Sequence, residues 1–392
     1  MNKQDLIDFE HHMAYLFDEG EIPYLVHFSG GNEDQLIWIF RDIKPGDWIF
    51  STHRSHYHYL LAGGSPQSLE EKVLHGKSMF VFDRKLNFYS SSIVCGAAAI
   101  AAGVAWALKR KGSKQRVWCF LGDGAEDEGH LWEAARYVDG WGLPCNYIIE
   151  DNNRSVSTSI QERWGRWSKT TASCIRRYLY APIWPHSGNG SGKYIEFKRE
   201  TKIQKPALKV RYGFSNQTQS CSKSYKEAIK ESMEMLASEI GAIFVGYNVC
   251  HGAAYGTLQD IPEKQRLETP LAENLMAGLA MGMSLEGFRP VLYFERHDFI
   301  WNAMDALVNQ LDKTPILSDG QFKMPVIVKA VAGSIRPFYA GPTHISDLTE
   351  TFDSLFSFPV CKPRWPEEVL AAYKTAAFQD GPFLISESKE LY

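Results

Sequence analysis

Residues 117–153 read VWCFLGDGAEDEGHLWEAARYVDGWGLPCNYIIEDNN, and the alternation of apolar and polar residues in this stretch decides the fold. An unbroken apolar run, 117–121, ends at Gly122-Asp123-Gly124, as expected for a strand buried on both faces. A helical pattern follows, and a second apolar run at 147–149 ends in Asp151-Asn152-Asn153. The stretch therefore predicts a β-α-β unit with parallel strands that end at one edge of a sheet.

The same alternation continues along the chain and predicts two tandem α/β domains. The polar, basic stretch 196–223 lacks periodicity, so we place domains at 1–205 and 224–392 with a linker at 206–223. In the second domain we expect strands at 242–249, 290–294, 325–331 and 382–386. We expect helices at 270–283 (with Thr269 as N-cap and Pro270 at the first position), 299–311, 345–356 and 367–378. Each domain is predicted to have three α/β/α layers with a mostly parallel sheet.

Composition limits the class of protein. The 392 residues carry a net charge of −4 and are 44% hydrophobic, which is typical of globular proteins and argues against a nucleic-acid binder. Seven cysteines without a CxxC pair indicate reduced thiols in the cytoplasm, and the N-terminus has no signal-peptide pattern. The uncharged stretch 92–108 imitates a short membrane span, but its Ala and Gly content favours a buried helix.

The residues that end the two strands are suited to binding a metal and phosphate. Carboxylate, amide and carbonyl oxygens are the ligands that Mg²⁺ prefers, and a diphosphate and water would complete its octahedron. Gly122 and Gly124 allow the backbone to approach phosphate closely, next to the start of a helix near Gly129. The alternative is that Gly122–Gly124 is only a turn and Asn152-Asn153 only a cap; the two together favour a site.

This pattern resembles the cofactor motif of thiamine diphosphate enzymes. Three stretches of the sequence resemble the α subunit of the decarboxylating first component of 2-oxoacid dehydrogenase complexes. They are residues 122–159, residues 87–103 and the residues around 53–56. Residues 269–299 and 341–348 resemble the pyrimidine-binding stretch and the histidine-bearing loop of the β subunit. The resemblance implies thiamine diphosphate and Mg²⁺ as cofactors and a chain that fuses α and β.

The resemblance also implies roles for residues of the first half. Asp123 and Asn153 would ligate Mg²⁺ with the carbonyl of Ser155, although Asn152 stays open as the ligand because the family's interval is one residue shorter. The other implied cofactor contacts are Arg54 and His186 near the diphosphate, Gly122 and Gly124 beside it, Ser92 and Val94 on the aminopyrimidine, and Val156 as the wedge that bends the cofactor.

In the second half, Glu273 would hydrogen-bond the pyrimidine ring nitrogen. A glutamate on an apolar helix suits the proton sharing that this role requires. Phe299 would stack on the pyrimidine, with plain core packing as its alternative. His344 and His56 are the acid/base candidates, and a structural role is the alternative for each.

Departures from the family bear on function. His53 stands where the α subunits usually have Tyr, and the run His53, His56, His58 lacks a nearby Cys or carboxylate that would predict a zinc site. The sequence ends at residues 387–392, where the β subunit would begin its C-terminal domain. A lipoyl-bearing partner is therefore doubtful.

We therefore expect decarboxylation of a 2-oxo acid through an ylide and an enamine, followed by oxidation or transfer of the acyl unit. Alternatives are a stand-alone decarboxylase or carboligase, a non-catalytic protein of the same fold, and a nucleotide- or phosphosugar-binding protein. A homodimer with sites at the subunit interface is expected, with no nucleic-acid or membrane partner.

Overall fold

The computed structural model describes residues 1–22, 24, 26–156, 158–164, 172–198, 223–336 and 342–392. The chain divides into two compact units, Met1–Gln204 and Lys205–Tyr392. Almost all of the linker predicted at 206–223 lies outside the described residues. The two units are described separately below.

The first unit contains helices and strands in alternation. Its helices are α1 (Lys3–Asp18), α2 (Glu33–Phe40), α3 (His56–Leu61), α4 (Pro66–Leu74), α5 (Ala98–Arg110), α6 (Gly129–Trp141) and α7 (Ile160–Trp164), with a 3₁₀ helix at Asp123–Asp127. Its strands are β1 (Trp48–Ser51), β2 (Phe82–Asp83), β3 (Phe88–Ser90), β4 (Val117–Gly122), β5 (Cys145–Asp151), β6 (Arg154–Ser155), β7 (Thr158–Ser159) and β8 (Ile175–Leu179).

Six of these strands form one sheet in the order β2-β3-β1-β4-β5-β8, and only β2 runs antiparallel to its neighbour. The predicted β-α-β unit is confirmed, because β4 and β5 are parallel and Gly122 pairs with Glu150 at their carboxyl ends. The strand order reverses between β1 and β4. Open α/β sheets bind ligands outside the carboxyl ends of strands at such a reversal.

The Ala- and Gly-rich stretch at 92–108 is a buried helix from Ala98 onward, as predicted, whereas residues 92–97 precede the helix. In α5 every residue from Ala98 to Leu108 is buried, and the helix packs beside β4, β5 and α6. Small side chains permit this close packing on all faces, so the lack of charge reflects burial in protein. Within the described residues, no helix combines the length and apolar character needed to cross a membrane.

The second unit also has a six-stranded sheet. Its helices are α8 (Tyr225–Glu239), α9 (Glu273–Leu285), α10 (Thr314–Leu317), α11 (Thr349–Leu355) and α12 (Pro366–Ala377), with 3₁₀ helices at Ala254–Gly256, Glu263–Gln265, His297–Ala303 and Lys389–Leu391 and a π-helix at Asp305–Leu311. Its strands are β9 (Ile243–Gly246), β10 (Arg266–Glu268), β11 (Pro290–Phe294), β12 (Ile327–Ala332), β13 (Val360–Cys361) and β14 (Phe383–Ser388). They lie in the order β10-β9-β11-β12-β14-β13, all parallel.

The predicted start of the helix at Pro270 is wrong. Helix α9 begins at Glu273, with Ala272 in the N-cap position. Thr269 continues the edge strand instead, because its N–H donates to the Gly246 carbonyl (3.0 Å), and its buried hydroxyl has no hydrogen-bond partner. Tertiary pairing with the sheet therefore overrides the local capping signal, and Glu273 becomes the first residue of the helix.

Two other predicted helices are changed by side chains that accept backbone N–H groups. The helix expected at 299–311 is a 3₁₀ helix followed by a π-helix, and the Ala306 N–H donates to Asn274 Oδ1 (3.2 Å) at this junction. The helix expected from Ile345 begins only at Thr349. The Leu348 N–H donates to Nδ1 of the buried His297 (3.0 Å), so the preceding residues are held outside a helical conformation.

Candidate functional site

A cavity of about 510 Å³ opens at the reversal point of the first sheet. Its wall is formed by the residues that follow β1, β3, β4 and β5, by the segment preceding α2 and by residues 180–186. This volume is in the usual range for small-molecule sites. The cavity therefore lies where the predicted β-α-β unit placed the ligand.

Two glycines at the end of β4 and just after it shape the cavity in different ways. A Cβ on Gly124 would lie 2.6 Å from Ser155 Oγ and 3.0 Å from Ser155 Cβ, so there is no room for a larger residue. A Cβ on Gly122 would meet no atom within 4 Å. Gly124 thus permits close packing against β6, whereas Gly122 leaves backbone open to the cavity.

Asp123 is the buried acid of the site. It is 2% exposed, and burial is the main cause that raises the pKa of its carboxyl group. Its Oδ2 lies 3.0 Å from Nη2 of Arg163, which also pairs with Asp127. The Arg163 guanidinium therefore neutralises the carboxylate at the point where a metal ion would bind.

The structure distinguishes the two adjacent asparagines. Asn152 lines the cavity, while Asn153 is exposed and is not among the lining residues. Asn153 Oδ1 accepts the Ile160 N–H (3.2 Å), and Asn152 Oδ1 accepts the Arg154 N–H (2.9 Å). Each amide oxygen keeps a second lone pair, so hydrogen bonding does not distinguish the two, whereas their position relative to the cavity does. Asn152, the alternative to the predicted Asn153, is therefore the asparagine that lines the cavity, and the metal ligand itself stays a prediction.

The cavity wall includes a buried polar network centred on Glu150. Its Oε1 accepts hydrogen bonds from Asn32 Nδ2 (3.1 Å) and from the Tyr178 hydroxyl, and it lies 3.2 Å from His58 Nε2. His58 Nδ1 in turn lies 2.7 Å from Ser51 Oγ. A carboxylate with this many partners is held in a fixed orientation at the wall.

Of the other residues predicted in the first half, most line the cavity. Those are Arg54, Val94, Ser155, Val156 and His186, whereas Ser92 lies next to lining residues without being one. The Arg54 guanidinium donates to the carbonyls of Phe28 (2.6 Å) and His186 (2.8 Å).

Backbone strain marks the same wall. Val156 has φ of 55° and is 62% exposed, and Cys95, which also lines the cavity, has φ of 59°. A β-branched residue rarely adopts positive φ. Such strain is concentrated at ligand-binding sites, where the surroundings maintain it.

His56 is placed elsewhere. It is fully buried, with Nδ1 2.9 Å from Glu10 Oε1 and Nε2 2.9 Å from Ser78 Oγ, and it does not line the cavity. Both ring nitrogens are engaged within the protein. These contacts are those of a structural histidine, the alternative to the acid/base role, which stays a prediction for His56.

Each of the three residues predicted in the second unit follows a strand of its sheet: Glu273 follows β10, Phe299 follows β11 and His344 follows β12. Glu273 is partly buried, and its Oε2 lies 3.4 Å from Asn302 Nδ2. The rings of Phe299 and His344 pack edge to face with centroids 5.3 Å apart. His344 Nδ1 also lies 2.9 Å from Thr343 Oγ1. The edge-to-face contact brings an aromatic ring and a titratable imidazole together.

Sequence reasoning missed several polar residues of the cavity. Glu150 could have been noticed as an acid at a strand end, one residue before Asp151. Asn32 and Tyr180 carry no comparable signal, because only the folded chain brings their segments to this wall. The same holds for Arg163, which is not a lining residue but contacts Asp123.

Comparison with known families finds one match in each half of the chain. Residues 1–176 match the dehydrogenase E1 component family, and residues 222–392 match the pyrimidine-binding domain family of transketolase. The two matches together account for most of the chain.

Curated relatives match the first half. The α subunit of the pyruvate dehydrogenase E1 component of Rickettsia typhi is 34% identical over 162 residues, which are 39% of this chain and 50% of that protein. The α subunit of an acetoin:2,6-dichlorophenolindophenol oxidoreductase of Cupriavidus necator is 32% identical over 162 residues, 39% of this chain and 49% of that protein. The chain thus spans about half the length of these relatives.

Solved transketolases share the fold. The enzyme of Campylobacter jejuni superposes with a TM-score of 0.71 at 15% identity, covering 99% of this chain and 79% of that one. The enzyme of Leishmania mexicana gives 0.68 at 13% identity, covering 100% and 77%. Residues 1–176 thus match the dehydrogenase E1 component family and residues 222–392 the pyrimidine-binding domain family of transketolase, on a fold that the solved transketolases share.

Proposed function

We propose that this chain is a thiamine diphosphate- and Mg²⁺-dependent enzyme that decarboxylates a 2-oxo acid and then oxidises or transfers the remaining unit. The main observation in support is the cavity at the reversal point, where a glycine-lined floor meets the buried carboxylate of Asp123 and the amide of Asn152. These are oxygen donors beside open backbone, which fits a magnesium diphosphate. The relatives named above support the reaction class.

In the first unit, Asp123 Oδ2 and Asn152 Oδ1 would hold the metal, with a backbone carbonyl from Arg154 or Ser155. Gly122 would let the diphosphate approach the backbone. Arg163 would have to leave Asp123, since the guanidinium and a divalent ion compete for the same oxygen.

In the second unit, Glu273 would exchange a proton with the pyrimidine ring nitrogen, and Phe299 would stack on that ring. His344, held against Phe299, would donate or accept a proton at the substrate oxygen. When bound, thiamine diphosphate supplies the carbon nucleophile and the electron sink for decarboxylation.

The two sets of residues belong to different compact units. We propose a homodimer in which the first unit of one chain faces the second unit of its partner. The thiols of Cys119, Cys145, Cys174, Cys250 and Cys361 are free, which supports a reducing compartment such as the cytoplasm.

The first experiment compares Glu273→Gln with wild type and with Glu263→Gln, a control at an exposed position. Calorimetry should show that all three bind thiamine diphosphate with Mg²⁺. Turnover of 2-oxo acids, assayed separately with lipoamide, an electron-accepting dye or an aldehyde, should be lost only in Glu273→Gln. The acceptor that supports turnover identifies the fate of the acyl unit.

Two outcomes would contradict the proposal. Undiminished turnover in Glu273→Gln would remove the assigned proton-transfer role. Cofactor binding by wild type without turnover of any 2-oxo acid would favour a non-catalytic protein, while binding of adenine nucleotides in place of thiamine diphosphate would favour a nucleotide-binding protein.

Mixing two inactive variants tests the shared site. Asp123→Asn inactivates the first unit and Glu273→Gln the second, so a mixed dimer has one intact site if each site uses both chains. Equal amounts should then recover about a quarter of wild-type activity after subunit exchange. No recovery despite mixed dimers, or a monomer by ultracentrifugation, would place both halves of the site in one chain.

A further inference from the structure

Three histidines from distant parts of the sequence meet beside the cavity. His27 precedes α2, His53 follows β1, and His186 lies in the segment after β8. One ring nitrogen of each lies within 4.8 Å of the others. The ring centroids are 4.6 Å apart for His27 and His53, 4.9 Å for His27 and His186, and 5.8 Å for His53 and His186.

These separations are close to those of a metal centre. Zn–N bonds of about 2.0–2.1 Å in a tetrahedron place the ligand nitrogens about 3.4 Å apart. The rings stand at 61–76° to one another, so their nitrogens can converge on one point without the rings stacking. Small side-chain rotations would therefore bring the three nitrogens to bonding distance of a common ion.

The imidazoles are in the protonation state that binds metals. Burial, with a smaller contribution from neighbouring cations, lowers the pKa of His27 to about 4 and that of His53 to about 3, and it also lowers the pKa of His186. Near neutral pH each ring therefore offers a lone pair. His27 Nδ1 is in addition buried without a hydrogen-bond partner, which an ordinary packed histidine avoids.

One neighbouring charge opposes a cation here. Arg54 lies next to the cluster and contributes to the lowered pKa of all three histidines. Its guanidinium, however, is directed at the carbonyl oxygens of Phe28 and His186, and the second of these bonds fixes the His186 backbone. Arg54 thus weakens the site electrostatically while holding one of its ligands in place.

We propose that His27, His53 and His186 form a binding site for a divalent transition-metal ion of the Zn²⁺ class. His53 and His186 line the cavity, so a three-histidine centre here leaves a coordination position facing a cavity ligand. The site uses none of the oxygen ligands around Asp123 and can be tested without the cofactor. It lies on the wall of the same cavity, and His186 is also one of the residues that the family resemblance places near the diphosphate. Mg²⁺, which prefers oxygen ligands, does not compete for it.

The test uses the full chain freed of metals by chelation and then supplied with excess Mg²⁺. Zn²⁺ is titrated against a chromogenic chelator near neutral pH, and Co²⁺ serves as a spectroscopic probe of the ligand geometry. His27→Gln and His53→Tyr each remove one nitrogen, and His75→Gln is the control, at an exposed histidine after α4.

We expect one Zn²⁺ per chain, a tetrahedral Co²⁺ spectrum, and at least about a tenfold weaker affinity in each ligand variant but not in the control. Asp123→Asn should weaken Mg²⁺-dependent cofactor binding and leave Zn²⁺ affinity unchanged, so failures of the two proposals can be told apart. Equal Zn²⁺ affinity in wild type and both ligand variants, or an octahedral Co²⁺ spectrum, would overturn the assignment.

Discussion

Gly124→Ala is the substitution whose effect the structure defines most closely. The new Cβ would lie 2.6 Å from Ser155 Oγ and 3.0 Å from Ser155 Cβ. Rotation of the serine side chain can move Oγ but cannot move Cβ, so the loop after β4 and strand β6 must separate. Overpacking of this kind costs about 1–3 kcal/mol.

Because both segments hold the proposed metal ligands, we expect the same energy to be lost from cofactor binding. Each 1.4 kcal/mol is tenfold, so the affinity for thiamine diphosphate with Mg²⁺ should fall roughly five- to 140-fold. Calorimetric titration measures this loss, and urea unfolding of the cofactor-free protein measures the effect on stability.

A second substitution identifies the cause. Ser155→Gly removes both offending atoms and keeps the backbone carbonyl, and the nearest remaining serine atom, Cα, is at an ordinary 3.5 Å. The double variant should therefore recover most of the affinity that Gly124→Ala loses. Gly129→Ala is the matched control, since its Cβ meets no atom within 4 Å. Equal behaviour of Gly124→Ala and Gly129→Ala, or no rescue by Ser155→Gly, would refute the packing argument.

Three further predictions concern the same chain. Gly122→Ala should leave the thermal midpoint unchanged, because its Cβ meets no atom within 4 Å and φ of −74° suits alanine. It should weaken cofactor binding by about tenfold, because the methyl group occupies the cavity. A lower thermal midpoint together with weaker binding would contradict this. Arg163→Gln should raise Mg²⁺ affinity at pH 8 by roughly tenfold in a titration, since it frees Asp123 Oδ2, and weaker binding would show that the arginine assists. Burial lowers the pKa of His297 from its ordinary 6.5 to about 4. The unfolded chain therefore binds the proton first, and the free energy of unfolding falls by up to about 3 kcal/mol as the pH drops from 6.5 to 4. His297→Gln should flatten the pH dependence of the urea midpoint, and an unchanged slope would contradict this.

The candidate site was only partly predictable from local sequence. Asp123, Gly122 and Gly124 were found because they end an apolar strand, and parallel strands bring their ends together whatever the side chains around them. Local sequence could not predict which of Asn152 and Asn153 faces the cavity, because the turn after β5 determines this. Arg163 and Glu150 belong to the site only through tertiary contacts.

The helix starts show the same division. Thr269 and Pro270 form a good local start signal, yet pairing of Thr269 with Gly246 delays the helix to Glu273. Local preferences for starting a helix stabilise it by a few tenths of a kcal/mol to about 1 kcal/mol. One hydrogen bond to the sheet, with the packing that accompanies it, can outweigh this stabilisation.

By itself, the sequence determined the α/β class, the strand and helix alternation, the family resemblance and the acid that ends β4, because apolar periodicity and short spacing act within one segment. Only the tertiary structure decided which asparagine faces the cavity, that His56 is buried away from it, and that His27, His53 and His186 meet. Those contacts join segments far apart in the chain, and their positions depend on packing that no single segment encodes.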